Sequence, residues 1–346
     1  MSSLTGRTFL HPAFDYLIIG GGLSLVATAL IARGDFVPSS VMSAAFPLIL
    51  FLVNLTHFSS STVRLYTKPR AIEEHPFLTA GLPLVTLAVL SVAIAFAERV
   101  GGHVMRLYLT WSPYHYAAQA YGLAVMYGYR SGTVMDDVDK RLLRIACIAP
   151  FLYAFFKGPD AGIGWILPWQ VLAEARVAVV RESLVLTAGA LAVILPPYVY
   201  LRSMQRGRPL PLISLLVVLS NAAWWLALLY LNAFGWATVF HGLQYLAIVT
   251  IFHVREQIRA PANRRGWLYH AATFYMASAA LAYFLFQAWP YAFVLLGFGP
   301  AESVLLVVAT INIHHFVVDA YIWRLRKDRN FGTVTDGPPE GLATAA

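Results

Sequence analysis

The sequence predicts an all-α protein, a polytopic integral-membrane bundle of about ten transmembrane helices. Hydrophobic residues make up 59% of the chain and charged residues only 12%, whereas about a quarter of the residues of a soluble domain are charged. The apolar residues gather in segments close to the ~20 residues that a helix needs to cross a ~30 Å hydrocarbon core. These segments are residues 15–33, 40–58, 78–98, 105–128, 142–157, 179–201, 209–231, 235–254, 268–289 and 300–323.

The apolar segments use most of the 346 residues and leave no room for a separate soluble domain. Residues 1–329 are therefore predicted to form a single transmembrane helical domain, and any chemistry must take place within the bundle or at its rim. Residues 330–346 are rich in Gly, Pro, Thr and Ala, and this composition predicts a disordered C-terminal tail.

The net charge of +8 comes from basic residues in the loops, not from one basic patch, so it does not predict nucleic-acid binding. With ten spans, the basic clusters all fall on one side of the membrane, together with both termini. These clusters lie at residues 64–70, 130–144, 202–208, 255–265 and 324–329. The positive-inside rule makes this side cytoplasmic. Arginine far outnumbers lysine, which favours a bacterial protein and hence the inner membrane.

Four apolar segments carry polar side chains at helical spacing, and each of them includes at least one histidine. A polar side chain without a partner costs several kcal/mol in hydrocarbon, so histidines at one depth on separate spans predict a site. At about 1.5 Å per residue they lie roughly 10–22 Å inside the cytoplasmic boundary. They converge only if spans 2, 4, 8 and 10 pack around one centre. The predicted metal ligands are His57, His115, His241, His314 and His315.

Other polar residues share the depth and the helix faces of these histidines, because residues three or four apart lie on one face. Asp319, one turn after His315, is predicted as a catalytic residue that binds the metal or orients His315. Tyr116, beside His115, is the second predicted catalytic residue, as a donor of a proton or a conductor of a radical. Hydrogen bonds to the ligands are predicted for the amides Asn54, Gln119, Asn221, Gln244 and Asn312.

The ligand set indicates the class of metal. Imidazole binds zinc, copper, iron or nickel, and the single cysteine, Cys147, excludes thiolate zinc sites and cysteine-ligated iron–sulfur clusters. In ligand type the set resembles the histidine-rich iron centres of membrane desaturases and hydroxylases. The HxxxH and HxxHH boxes of those families are absent from the chain, so no family membership follows. A transition metal is predicted, iron first, with zinc, copper or haem b as alternatives.

The predicted function is that of an O₂-dependent oxidoreductase, of the hydroxylase or desaturase type, that acts on a hydrophobic, lipid-like substrate. Its expected partners are membrane lipids, that small-molecule substrate and an electron donor. Three alternatives stay open. The chain could be a haem protein for electron transfer with His115 and His241 as axial ligands, or a zinc-dependent lipid hydrolase. It could also be a proton-coupled transporter in which the histidines and Asp319 form a relay.

Overall fold

The computed structural model describes residues 4–34, 40–68, 70–158, 162–207, 209–231, 234–323 and 334. All regular secondary structure in these ranges is helical, which confirms the all-α class. The α-helices are α1 (Pro12–Phe14), α2 (Gly22–Arg33), α3 (Ser40–Ile49), α4 (Thr56–Thr67), α5 (Ala71–Glu74), α6 (Leu82–Ala95), α7 (Gly102–Arg130), α8 (Asp137–Lys157), α9 (Trp169–Leu172), α10 (Ala175–Gln205), α11 (Leu212–Leu231), α12 (Phe234–Arg259), α13 (Trp267–Tyr283), α14 (Trp289–Leu295) and α15 (Pro300–Ile322).

Several α-helices are continued by π-helical turns, in which each backbone hydrogen bond spans one more residue than in an α-helix. The π-helical turns are Asp15–Ile19, Leu50–Leu55, Phe77–Gly81, Ala97–Gly101 and Phe284–Ala288. The turn between α3 and α4 contains Asn54 and ends one residue before α4 begins at Thr56. There the Thr56 hydroxyl donates a hydrogen bond of 2.9 Å to the Phe51 carbonyl, which is an acceptor inside the turn.

Seven helical stretches in the described part of the chain are long and apolar enough to cross a membrane. They are Ala44–Thr67, Phe77–Ala95, Ala175–Gln205, Leu212–Leu231, Gly235–Arg259, Trp267–Leu295 and Pro300–Ile322. An eighth is added if Pro12–Ile19 and Gly22–Ala32, which meet at an angle of 51°, form one bent span. The chain thus has several helices suited to a membrane, while the count of ten stays a prediction.

The two remaining predicted spans, 105–128 and 142–157, are helical but do not belong to the stretches that are long and apolar enough to cross a membrane. They lie in α7 and α8, which have 29 and 21 residues. α7 carries His115, Gln119 and many tyrosines, whose polar groups lower its mean hydropathy. α8 has acidic and basic residues on its first two turns. Both helices therefore have the length predicted for a membrane span. Their polar and charged residues distinguish them from the helices that are apolar enough to cross a membrane.

The chain divides into two compact units. Unit 1 comprises Met1–Pro38, Pro113–Gln244 and Phe331–Ala346, and unit 2 comprises Ser39–Ser112 and Tyr245–Asn330. The single domain expected for residues 1–329 stays a prediction. The tail predicted to be disordered, residues 330–346, lies outside the described residues except for Val334, whose carbonyl accepts a hydrogen bond from Arg130.

In unit 1, α8 packs against α10 and α11, and α11 packs against α2. One of its apolar clusters combines Tyr116 of α7, Phe151 of α8, and Trp224 and Trp225 of α11. A polar cluster lies at the start of α8, where Asp136 caps the helix by accepting a 2.7 Å hydrogen bond from the Asp139 N–H. This bond, together with Arg206, lowers the pKa of Asp136 to about 2.

In unit 2, α4 packs against α13 and α15, and α15 also packs against α6 and α14. Two apolar clusters flank the middle of α15. One forms around Phe58 and Phe286, and the other joins Leu65 to Val318. Between these clusters α4 and α15 bury polar side chains, which are described below.

Gly21 breaks the helix between the first π-helical turn and α2, and its φ of 82° lies in the left-handed region that favours glycine. A Cβ at this position would lie 2.6 Å from Ser220 Cβ and 3.2 Å from Gln244 Nε2. The break leaves backbone carbonyls available as acceptors. The Ser220 hydroxyl donates to the Gly20 carbonyl at 3.2 Å, and Gln244 Nε2 donates to the Ile19 carbonyl at 2.8 Å.

We expect Gly21→Ala to lower the free energy of unfolding by more than Gly34→Ala does. Both glycines have a positive φ, 82° and 75°, so alanine at either position costs about 1–2 kcal/mol in backbone strain. Only Gly21 adds a clash with Ser220, because no described atom lies within 4 Å of a Cβ at Gly34. Thermal unfolding of the two variants in detergent measures the difference, and equal destabilisation would contradict this packing.

Candidate functional site

Unit 1 brings two of the predicted ligands together, His115 of α7 and His241 of α12. Both are buried, with 7% and 0% of their surfaces exposed. Their ring centroids are 5.2 Å apart, the rings are close to perpendicular, and a nitrogen of each ring lies within 4.8 Å of one of the other. Helices that are distant in sequence therefore place two imidazoles near enough to share one small ligand.

Tyr116, predicted as catalytic, covers one face of the His241 ring. The two rings are stacked, with centroids 3.8 Å apart and planes 14° from parallel. The Tyr116 hydroxyl donates to Thr238 Oγ1 at 3.3 Å, and Thr238 lies one turn before His241 on α12. The tyrosine thus fixes the plane of the imidazole, and its own hydroxyl is held by a side chain of the same helix.

The predicted amides of unit 1 join helices through backbone carbonyls and through one another. Gln119 Nε2 donates to the His241 carbonyl at 3.2 Å and to Gln244 Oε1 at 3.5 Å. Gln244 in turn donates to Ile19 in the first π-helical turn, and Asn221 donates to the Cys147 carbonyl of α8 at 2.9 Å. Of these bonds, the two from Gln119 join α7 to α12, the helices that carry His115 and His241.

Three buried polar atoms of unit 1 find no hydrogen-bond partner within the described ranges. They are Gln119 Oε1, Asn221 Oδ1 and Trp224 Nε1. The Trp224 ring stands edge-on to His241, with the centroids 6.4 Å apart. A buried polar group without a partner costs about 1–3 kcal/mol. Gln119 and Trp224, which both lie beside His241, therefore leave one acceptor and one donor unsatisfied there.

Unit 2 brings together three other predicted residues, His57 of α4 and His315 and Asp319 of α15. They are 0%, 1% and 6% exposed. The His57 and His315 rings are nearly perpendicular, with centroids 4.7 Å apart. His315 Nε2 lies 3.5 Å from Asp319 Oδ2, one helical turn further along α15. Two imidazoles and a carboxylate are thus neighbours in a buried part of this unit.

Hydrogen bonds in unit 2 fix the tautomers of both histidines. His57 Nδ1 lies 3.0 Å from the Asn54 carbonyl, which can only accept, so Nδ1 carries the proton and Nε2 the lone pair. His315 Nδ1 lies 2.9 Å from Ser61 Oγ, and that hydroxyl donates to the Phe58 carbonyl at 3.1 Å. Because the serine has one proton to give, its oxygen accepts from His315 Nδ1–H, and Nε2 again carries the lone pair.

These tautomers suit metal binding. A histidine that ligates a metal usually donates its other N–H to a carbonyl or another fixed acceptor, as both histidines of unit 2 do. The lone pair of His315 Nε2 then faces Asp319 Oδ2 at 3.5 Å. Two electron-rich atoms in this position are stabilised by a cation between them, either a proton or a metal ion. The ligand types of unit 2, imidazole and carboxylate, are ones that transition metals bind.

Three residues that received no functional role in the sequence analysis take part in this arrangement, namely Ser61, Tyr245 and Arg64. Ser61 lies one turn after His57, a spacing that marks the same face of α4. The Tyr245 hydroxyl donates to Asp319 Oδ1 at 2.5 Å. Its position next to Gln244 in the sequence is the only signal that could have identified it.

Arg64 belongs to a predicted cytoplasmic cluster of charges, but the structure buries it in unit 2 with 1% exposure. Its guanidinium lies 3.7 Å from a Glu256 carboxylate oxygen and packs near the rings of Phe252 and Trp323. A basic residue near a helix end is normally solvated, whereas Arg64 is buried; its place on the cytoplasmic side stays a prediction. Here an acidic partner and two aromatic rings, all distant in sequence, replace the solvent.

His314 and Asn312 are not joined to these groups. His314 is half-buried on another face of α15, and within the described residues no hydrogen bond or ring contact connects it to His57 or His315. Asn312 donates to the Val308 carbonyl of its own helix at 2.7 Å. Neither its Oδ1 nor that of Asn54 meets a described donor. Ligation by His314 and hydrogen bonding by these amides to the ligands stay predictions.

The fold and the buried side chains define a class, a helical protein with several helices apolar enough to span a membrane and with pairs of histidines buried among its helices. No protein-family model, curated protein or solved structure matches the chain.

We expect Gln244→Leu to lower the free energy of unfolding. Gln244 joins α12 to the first π-helical turn and to Gln119, and hydrogen bonds between membrane helices contribute about 0.6 kcal/mol each on average. Unfolding of the variant in detergent measures the loss, and unchanged stability would contradict a role for these bonds in holding the helices together.

Proposed function

We propose that this chain is an integral-membrane metalloenzyme with iron bound to buried histidines. It would use O₂ to oxidise a hydrophobic, lipid-like substrate by hydroxylation or desaturation. The observation that carries the proposal is the facing pair in unit 2, His315 Nε2 and Asp319 Oδ2 at 3.5 Å, beside the ring of His57. Two imidazoles with one carboxylate are the ligand types that non-haem iron(II) oxygenases use.

In this proposal His315 and Asp319 hold the metal in unit 2, and His57 is a further ligand through Nε2. The pair His115 and His241 in unit 1 is proposed to bind metal as well, through one nitrogen of each ring. When bound, iron would supply the one-electron chemistry that O₂ requires. Electrons would come from a donor protein or a small reductant.

The side chains of the protein would position the reaction and exclude water. Asn54 and Ser61 hold the two imidazoles of unit 2 in one tautomer and orientation. In unit 1, Tyr116 covers His241 and is the proposed donor of a proton or a hydrogen atom from its hydroxyl. The buried rings of Trp224 and Trp225 line that region, which favours an apolar substrate. Such a substrate would enter from the membrane lipids.

The proposed topology has ten spans, with both termini on the cytoplasmic side of a bacterial inner membrane. α7 and α8 would then be the fourth and fifth spans, and at about 1.5 Å per residue both are long enough to cross most or all of the hydrocarbon core. The basic clusters of the loops support this orientation through the positive-inside rule. Uncharged segments near 232–235 and 287–291 would face the opposite side.

We expect purified protein to contain iron, and His315→Ala to lose it while remaining folded. His315 supplies a nitrogen that faces a carboxylate, so its removal takes away a ligand. His314→Ala is the matched control, because His314 is not a ligand in this proposal and its imidazole has no described contact with His57 or His315. Elemental analysis gives the metal content, and size-exclusion chromatography in detergent checks the fold.

The same measurement separates the alternatives. Full iron content in His315→Ala would contradict the assignment of this ligand. A haem absorption band would favour electron transfer, stoichiometric zinc would favour a lipid hydrolase, and protein without metal would favour the transporter. The iron content of His57→Ala, compared with that of a variant in which both His115 and His241 are replaced by alanine, shows whether unit 1, unit 2 or both bind iron.

We expect a membrane-impermeant maleimide to label Leu296→Cys from outside intact cells and Arg264→Cys only after permeabilisation. Both positions are exposed, and the proposed topology puts them in loops on opposite sides of the membrane. The variants are made with Cys147, the single native cysteine, replaced by alanine. Labelling of Arg264→Cys in intact cells would reverse the proposed orientation.

A further inference from the structure

Asp319 is linked to Arg64 through two aromatic side chains, Tyr245 and Trp323. Trp323 Nε1 donates a hydrogen bond to the Tyr245 hydroxyl oxygen at 3.4 Å, and that hydroxyl lies 2.5 Å from Asp319 Oδ1. The Trp323 ring packs edge-on against Tyr245, with centroids 6.0 Å apart, and edge-on against Phe252 at 5.3 Å. The Arg64 guanidinium lies 5.7 Å from the Trp323 ring.

The direction of these hydrogen bonds follows from the chemistry of the groups. An indole N–H can only donate, so the Tyr245 oxygen accepts from Trp323. The tyrosine has one proton, and the carboxylate is its partner for donation. Oδ1 of Asp319 therefore accepts from Tyr245, while Oδ2 faces His315 Nε2 at 3.5 Å. The two oxygens of one carboxylate have different partners in this unit.

We propose that Tyr245, supported by Trp323, is a positioning residue that keeps Asp319 a one-oxygen ligand of the metal. This inference rests on the proposed function, since it concerns the metal of the His315 and Asp319 pair. A carboxylate held at Oδ1 presents Oδ2 alone and in a fixed direction. A carboxylate released from that bond can turn and bind through both oxygens.

The consequence for the site is an additional open coordination position. A carboxylate that binds through both oxygens occupies two positions, and one that binds through a single oxygen occupies one. Iron oxygenases of the two-histidine, one-carboxylate type depend on open positions. The Tyr245 hydroxyl would thus determine how many positions remain for O₂ and substrate, although it touches neither.

The test compares Tyr245→Phe and Trp323→Phe with the control Tyr275→Phe. Each tyrosine variant removes one hydroxyl and keeps the ring. The Tyr275 hydroxyl, in the same unit, donates to the Leu52 carbonyl at 2.9 Å. The metal-free proteins, folded in detergent, are titrated with Co²⁺, whose visible absorption weakens as its coordination number rises. Asp319→Asn and His315→Ala give the Co²⁺ affinity and the visible absorption that are expected when one ligand is lost.

We expect Tyr245→Phe to bind Co²⁺ about 10- to 100-fold more weakly, as is typical when a hydrogen bond to a metal ligand is removed. Its visible absorption per bound Co²⁺ should also be weaker than that of the unmodified protein. Trp323→Phe should change both quantities in the same direction but less, and Tyr275→Phe should change neither. If Tyr245→Phe cannot be purified in a folded form, the Co²⁺ affinity and absorption of Trp323→Phe test the inference instead.

Two results overturn the inference in distinguishable ways. Unchanged affinity and spectrum in Tyr245→Phe, with loss of Co²⁺ from Asp319→Asn, would refute the positioning role and leave the metal site intact. An equal loss in Tyr275→Phe would also refute it, because the effect would then belong to any missing hydroxyl. Failure of the unmodified protein to bind Co²⁺ or iron would overturn the proposed function itself.

Discussion

Burial of polar side chains among apolar helices is the constraint on which this structure depends. A polar group that loses water without gaining a partner costs about 1–3 kcal/mol even inside a soluble protein, and the cost is larger in hydrocarbon. His57, His315 and Asp319 all meet this requirement inside unit 2, through the Asn54 carbonyl, Ser61 and Tyr245. Ser61 belongs to α4 and Tyr245 to α12, so their bonds to His315 and Asp319 also fix how these two helices are set against α15.

Much of the fold and part of the candidate site could be predicted from the sequence. Apolar segments of helical length predicted the helices, because hydrophobic length alone decides which segments can cross a membrane. The rule that residues three or four apart share a face predicted that His315 and Asp319 would be neighbours, and the structure confirms it. Equal depth led us to group His115 with His241, and their rings are 5.2 Å apart.

The rest could not be predicted, because it depends on which helices become neighbours. Apart from its place next to Gln244, nothing in the sequence distinguishes Tyr245 from the other 17 tyrosines of the chain, and its partner becomes known only when α15 brings Asp319 to its hydroxyl. Arg64 has the pattern of a solvated helix end, and only the approach of Glu256 and Trp323 makes its burial favourable. Single-sequence reasoning assigns faces and depths, whereas partners across helices require the packing itself.

The π-helical turn over Leu50–Leu55 bears on how this chain is compared with others. A π-helical turn holds one residue more than the α-helix it interrupts, and one residue corresponds to about 100° of rotation. Helical-wheel diagrams drawn straight through α3 and α4 therefore assign the wrong face to one of the two helices. A related chain that lacks the extra residue would need a single-residue gap in the alignment. Without that gap, its counterpart of His57 would be sought one position away from the true one.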